Sequence, residues 1–300
     1  MSPSDAQPTD RPGEDPLAGL LTALDLTDTG ARTSEDILTG PSQWSPIGRV
    51  FGGQVLAQSV VAAARTAPAG RQVHSMHGYF LRPGDVSLPI TFSVDRIHDG
   101  RSFATRRTQA YQRGLPILSM IASFQTADGG LDHAAAMPAG LPAPEDLPDE
   151  RAVLAEIDHP MAQYWSSSRP FELRHVDGPV YLRAAERPTA HQAVWFRAVG
   201  RLPDDDVLHR AAMAYASDYT ILESIMRRHG VAWATEGYRA ASLDHAMWWH
   251  RPARVDEWLL YVQESPSASG GRGLALGRIF TREGVLAASV AQEGMVRVPA

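Results

Sequence analysis

The chain has 300 residues, enough for two domains or one large one and for a sizeable core. With 28 basic and 34 acidic side chains the net charge is −6, so no broad positive field recruits nucleic acid or an anionic membrane, and a composition 44% hydrophobic and 21% charged is that of a globular protein rather than a disordered one. Cysteine and lysine are both absent, which excludes disulfides, thiolate metal sites, cysteine nucleophiles, Schiff-base catalysis and a Walker-type phosphate loop.

Residues 1–16, MSPSDAQPTDRPGEDP, carry acids and prolines where a secretion signal has basic residues and an apolar core, and a disordered leader is expected there. An amphipathic helix is expected over 17–26 and an irregular connection over 27–46. The longest uncharged stretch, 50–64, has 15 residues, short of the ~20 that cross a bilayer, so no membrane span is expected. After Val50-Phe51-Gly52-Gly53 it reads QVLAQSVVAAA, apolar nearly all round, which predicts a helix buried inside its module. Four strand-like runs follow, VHSMHGYFL, LPITFSVDRI, SFATRRTQAYQ and LPILSMIASFQ, with turn pairs at Asp99-Gly100 and Arg113-Gly114. An N-terminal module over 17–126 thus consists of a helix followed by an antiparallel meander.

Residues 127–170, rich in Ala, Pro, Gly and acids, read as a connector with one short helix near 150–157. From 171 the pattern restarts in a C-terminal module, 171–300. It opens with the strands FELRHV and VWFRAV, and Asp204-Asp205-Asp206 then starts one long helix over 207–227. The strands ASLDHAMWWH, EWLLYVQE, GLALGRIFT and VLAASVAQ complete it. The halves can be laid on each other: Tyr79-Phe80 and Arg82-Pro83 match Trp248-Trp249 and Arg251-Pro252 at an offset of 169. Gly100-Arg101 match Gly271-Arg272 at 171, and Gly114 and Ser119 match Gly284 and Ser289 at 170. The fold class expected is α+β, two modules each with an antiparallel sheet wrapped around one long helix, the two sheets joined side by side.

Asp218 stands in the predicted long helix with Ala214, Tyr215, Ile221 and Leu222 three and four residues away, which puts its carboxylate on an apolar stripe. Desolvation there raises a carboxylate pKa and makes it a better base; a local kink or an internal cap with Ser217 is the alternative. Ser242 and Asp244 in ASLDH lie two apart, hence on one strand face and able to orient a water, with His245 on the other face. That alternation also disfavours an Asp244–His245 dyad. Gln292, among small residues in SVAQEG, offers a neutral donor and acceptor. The loop 265–273, SPSASGGRG, reads as a hairpin connection. Arg101, Arg106, Arg107, Arg272 and Arg278 are candidates to meet substrate phosphates, which a guanidinium matches bidentately; a solvated strand face is the plainer reading. The 11 histidines show no metal-ligand spacing, so no metal and no cofactor is expected.

Taken together, VFGGQVLAQ, HSMHGYFLRPGD, DGRSF, YASD, ASLDHAMWWHRP, SASGGRG and VAQEG resemble the acyl-CoA thioesterase II family, over roughly residues 17–297 apart from the connector. The resemblance implies a double hotdog fold and hydrolysis of acyl-CoA to a free acid and coenzyme A by an activated water. It carries the family's catalytic trio onto Asp218, Ser242 (threonine in some members) and Gln292, and it implies further association to a homodimer or homotetramer. Gly53, Gln54, Arg101 and Arg272 are candidate substrate contacts. The first helix has Gln54 and Gln58 where the second has Asp218, which leaves one active site per chain. The alternatives are a non-catalytic hotdog acyl-CoA-binding module and an enoyl-thioester hydratase, which commonly pairs an aspartate with a histidine. Cytoplasmic residence is expected, since the final VRVPA carries no Ser-Lys-Leu address.

Overall fold

The computed structural model describes residues 15–31 and 34–298; of the expected leader, residues 1–14 lie outside them. Asp15 caps α1 (Pro16–Leu24) by accepting from the Leu17 N–H, and Pro16 fits the first turn, where its missing donor costs nothing. The stretch expected to be irregular contains a short antiparallel pair, β1 (Thr27–Asp28) and β2 (Asp36–Gly40). Runs of two and five residues are too short to show an alternation in the sequence. The buried helix is α2 (Gly52–Thr66), followed by β3 (Arg71–Phe80), β4 (Ile90–Asp99), β5 (Phe103–Gln112) and β6 (Leu115–Thr126). Arg113 and Gly114 close the last hairpin with φ of 50° and 73°, a turn that suits the twist of its strands.

The connector holds a short 3-10 turn (Pro144–Asp146), α3 (Glu150–Ala155) and a second helix that the sequence did not suggest, α4 (Pro160–Ser168). The C-terminal module comprises β7 (Phe171–His175), β8 (His191–Ala198), α5 (Asp206–Ser217), α6 (Glu223–His229), β9 (Arg239–Ser242), β10 (Asp244–Trp249), β11 (Leu259–Ser269), β12 (Arg272–Thr281) and β13 (Leu286–Arg297). One expectation is corrected here: there is no single helix over 207–227. The chain leaves α5 at Asp218 and re-enters a helix only at Glu223. Tight bonds, Tyr219 N–H to the Ala216 carbonyl (3.2 Å) and Glu223 N–H to the Thr220 carbonyl (2.9 Å), replace the helical ladder. The Ser217 carbonyl, which a continuing helix would use, accepts from the Tyr261 hydroxyl at 3.2 Å instead.

Among the described residues the strands form one 13-stranded sheet in the order β1-β2-β4-β5-β6-β3-β10-β13-β12-β11-β8-β7, with β9 added against β13. The second half of that order mirrors the first about the antiparallel β3–β10 seam. His77 pairs with Ala246 across it, 169 residues further on, the same offset that relates Tyr79-Phe80 to Trp248-Trp249. A pseudo-two-fold axis therefore passes between these two residues. Inside the curved sheet α2 and α5 pack against each other in one continuous apolar core that includes Leu56, Val60, Ala211, Met213 and Ala214. Among the described residues no helix is long and apolar enough to cross a membrane.

A buried ionic cluster ties the connector to the C-terminal module. Glu150 of α3 and Glu223 of α6 flank His175 of β7 at 3.0 and 3.1 Å, and none of the three is more than 5% exposed. Arg169 joins at 2.6 Å from Glu150. Burial alone would pull the His175 pKa down, but hydrogen bonds and charge from Glu150 and Glu223 push it up to about 9. Because this lies above the ordinary 6.5, the bridge contributes fully below about pH 6.5 and its stabilisation is lost as pH rises through about 9. The thermal midpoint should accordingly decline across that window. His175→Gln, which takes the shared cation from Glu223 and leaves Glu150 with Arg169 alone, should cost about 3–5 kcal/mol near neutrality in denaturant unfolding and remove most of the pH dependence. A parent midpoint that stays flat through pH 9 would show that the ring is not charged.

Candidate active site

Three side chains from three elements meet where α5 ends. Asp218 occupies the C-cap of α5, Ser242 ends β9, and Gln292 points inward from the middle of β13. The Ser242 hydroxyl donates to Asp218 Oδ1 at 3.1 Å, and Gln292 Nε2 donates both to Asp218 Oδ1 (2.9 Å) and to Ser242 Oγ (2.8 Å). Asp218 and Ser242 keep partial solvent access, whereas Gln292 is fully buried.

The N-terminus of α2, from the other module, closes the site from the opposite side. The Gly53 backbone N–H hydrogen-bonds the Asp218 carboxylate. A Cβ on Gly52 would lie 2.6 Å from Asp218 Oδ2, and one on Gly53 would lie 2.3 Å from the Tyr215 carbonyl oxygen. The two glycines are thus needed for lack of a side chain, not for backbone freedom. Asp218 stands between the negative end of α5 and the positive end of α2, whose fields act in opposite senses on it. Burial decides the outcome: it pushes the Asp218 pKa up to about 6, against the hydrogen bonds from Gln292, Ser242 and Gly53. A carboxylate ionised at neutral pH, only just basic and with fixed donors beside it, is equipped to take a proton from water.

The chain matches the acyl-CoA thioesterase family over residues 178–295 and the acyl-CoA thioesterase N-terminal domain family over 40–125. It is 37% identical to human acyl-coenzyme A thioesterase 8, across 96% of this chain and 92% of that one. The chain belongs to the acyl-CoA thioesterase family. Its fold agrees: the crystal structure of the acyl-CoA thioesterase II TesB2 from Mycobacterium marinum shares 43% identity at a TM-score of 0.75, covering 94% of this chain and 98% of that chain. A hotdog-fold protein of unknown function from Alicyclobacillus acidocaldarius, at 19% identity, superposes with a TM-score of 0.76 over 94% of this chain and 98% of its own. This thioesterase is a double hotdog and a thioester hydrolase acting on acyl-CoA, and the acyl-binding and hydratase alternatives are not favoured.

Several sequence expectations change in detail in this thioesterase. Asp218 is not mid-helix; it ends α5, and the end of the helix is what frees its carboxylate to face α2. Ser242 and Asp244 do not share a face, because the strand breaks at Leu243: Ser242 pairs with Gly294 of β13, whereas Asp244 pairs with Tyr79 of β3. Asp244 Oδ1 accepts from the Glu293 N–H at 2.7 Å, away from the trio. The same break resets the alternation and turns His245 inward, fully buried, with Nδ1 on Gln292 Oε1. Strict alternation had placed that histidine on the wrong side.

Of the candidate substrate contacts, Gly53 is at the site, whereas Arg272 is exposed and its Nε is bonded at 3.0 Å to Glu293, which follows Gln292 on β13 and so points to the opposite face of the sheet. Gln54 is not brought to the trio: it is fully buried, its Oε1 accepting from the Gln43 N–H (3.1 Å) and its Nε2 donating to the Pro41 carbonyl (2.9 Å). Arg101 is exposed at the β4–β5 turn, where its carbonyl meets Arg71 at the start of β3. Phe80, whose ring lies beside Gly52, is at the other end of that strand, about 30 Å away at 3.3 Å per residue. Arg106 is a buried brace that binds Asp99 and the Thr66 carbonyl, Arg107 pairs with Asp95, and Arg278 lies 3.8 Å from Glu264. Residues 265–273 form the β11–β12 hairpin, turning at Gly270 and Gly271.

Gly52→Ala should displace the carboxylate, lowering kcat by ~10-fold or more while thermal stability shifts little, since the added methyl meets a side-chain end. Gly53→Ala meets a backbone carbonyl instead and should cost a few kcal/mol, about 2 or more, of stability. Equal effects of the two substitutions on stability and on turnover would contradict this division.

Proposed function

We propose that Asp218 is the general base of the thioesterase reaction, with the Ser242 hydroxyl beside the attacking water and the Gln292 amide fixing both of those side chains. The observation that carries this reading is a desolvated carboxylate, raised to about 6, whose Oδ1 is approached by one hydroxyl and one amide. Asp218 accepts a proton from water as the oxygen adds to the thioester carbonyl carbon. The tetrahedral adduct then collapses, the C–S bond breaks, and the coenzyme A thiolate takes up the proton held by the carboxyl group. No acyl-enzyme is formed. Ser242, lacking a base within its own hydrogen bonds other than Asp218 itself, serves here as a donor rather than a nucleophile.

One site per chain is part of this reading, on grounds that differ from the helix comparison above. The pseudo-symmetric counterpart of Asp218 lies at the C-terminal end of α2, not at Gln54 or Gln58. There the last helical residue is Thr66, and the offsets of 169 and 170 place Val73 where Ser242 stands and Ala122 where Gln292 stands. None of these three residues carries a carboxylate or an amide. A role in fatty-acid and lipid metabolism in the cytoplasm completes the reading.

Because the base must be ionised, kcat/KM should fall as pH drops through about 6. Asp218→Asn should lower kcat by ~10²–10⁴ with no metal added to the assay, and hydrolysis in heavy-oxygen water should place one label in the acid, with no burst of thiol. Near-normal turnover by the Asn variant, or a trapped acyl-serine, would overturn the base assignment or the direct attack by water.

The homodimer or homotetramer is likewise a proposal. It is supported by apolar side chains on the outer face of the seam, Tyr79 at 62% and Ile121 at 47% exposed, with Trp248 edge-on to His77 beside them. Light scattering at micromolar concentration should give two or four times 32.6 kDa; a single 32.6 kDa species would refute association.

A further inference from the structure

The Gln292 amide faces two ways. Its Nε2 spends both hydrogens, on Asp218 Oδ1 and Ser242 Oγ, while its Oε1 turns inward to His245 Nδ1. On the far side of the imidazole, His245 Nε2 is 3.0 Å from Ser217 Oγ, which also lies 2.9 Å from the Ala214 carbonyl oxygen. Gln292, His245 and Ser217 are all fully buried, so none can exchange a partner for water.

Resting on the catalytic reading above, we infer that His245 is a positioning residue, whose imidazole locks the Gln292 side chain in the one amide orientation that presents Nε2 to Asp218 and Ser242. With both Nε2 hydrogens committed, Oε1 can only accept; the ring proton therefore sits on Nδ1, and Nε2 shares the single Ser217 hydroxyl proton with the Ala214 carbonyl. Burial pulls the His245 pKa down to about 4, against the Gln292 hydrogen bond, so the ring is neutral while Asp218 is ionised. Turning the amide over would set Oε1 against the Asp218 carboxylate and the amide hydrogens against the Nδ1 proton, two repulsions at once. The rest of the chain agrees: in the N-terminal module, the positions equivalent to Gln292 and His245 hold Ala122 and Met76, so the histidine is missing where the amide is missing. Hydroxyl, imidazole and amide form a relay that orients Gln292 without touching substrate.

The test is a set of variants in the full chain, assayed for thiol release with checks of fold by thermal melting. His245→Leu should lower kcat by ~10–100-fold and leave KM within a few-fold. His245→Asn, which keeps an N–H near the Nδ1 position, should regain most of that loss. In a Gln292→Ala background, His245→Leu should cost less than ~3-fold more, because there is no amide left to orient. Full activity of His245→Leu, no recovery by Asn, or an undiminished loss in the Gln292→Ala background would each overturn the inference. Asp218→Asn run alongside separates the two levels: if it is inactive while the histidine effects are independent of Gln292, only the positioning role fails, whereas an active Asp218→Asn removes the catalytic reading itself.

Discussion

Everything at the site depends on how closely the first turn of α2 approaches the last turn of α5. Two consecutive glycines bring backbone to within contact of the Tyr215 carbonyl and of the Asp218 carboxylate, a separation that any Cβ would widen. The close approach removes water from one carboxylate while supplying a single backbone N–H to it. Desolvation and hydrogen bonding act in opposite senses on the same proton, and their balance sets a carboxylate that is ionised at neutrality yet less acidic than usual. A looser junction would hydrate the carboxylate and return it toward ordinary acidity; a tighter one without the N–H would neutralise it.

Much of this was legible in the sequence because the features involved are periodic or paired in residue type. The all-round apolar character of 50–64, the alternation in the strands and the offsets near 170 gave the two modules, their order and the joined sheet. Asp218, Ser242 and Gln292 were legible as unusual residue types in their local setting and through the family phrases. What stayed hidden depends on interruptions of regularity. The end of α5 at Asp218 comes from a long-range bond between the Tyr261 hydroxyl and the Ser217 carbonyl, forty-four residues apart in sequence, and no local pattern announces it. The break at Leu243 inverts the side-chain parity of the strand, which strict alternation misses when it puts His245 on the face opposite Ser242. One broken strand was enough to conceal an imidazole bonded to a member of the trio.

The arginines teach a related lesson. Their residue type suits phosphate, yet Arg106 is consumed in bracing the end of α2 and Arg107 in a cross-strand pair. In a chain without lysine, and with the charged His175 apart, arginine carries the structural cations as well as any that meets substrate. Arg272 is no exception, paired on the sheet's outer face with Glu293.

The seam between β3 and β10 gives the two halves unequal freedom to change over time. At the end of α2 where Thr66, Val73 and Ala122 stand, none of the three residues bears an acid or an amide, so on the proposed reading a substitution there is felt through packing alone. At the opposite end the same half sets Gly52 and Gly53 against the Asp218 carboxylate and the Tyr215 carbonyl of its sibling. The N-terminal half thus serves as a mould for the other, tolerant of substitution at one pole and intolerant at the other.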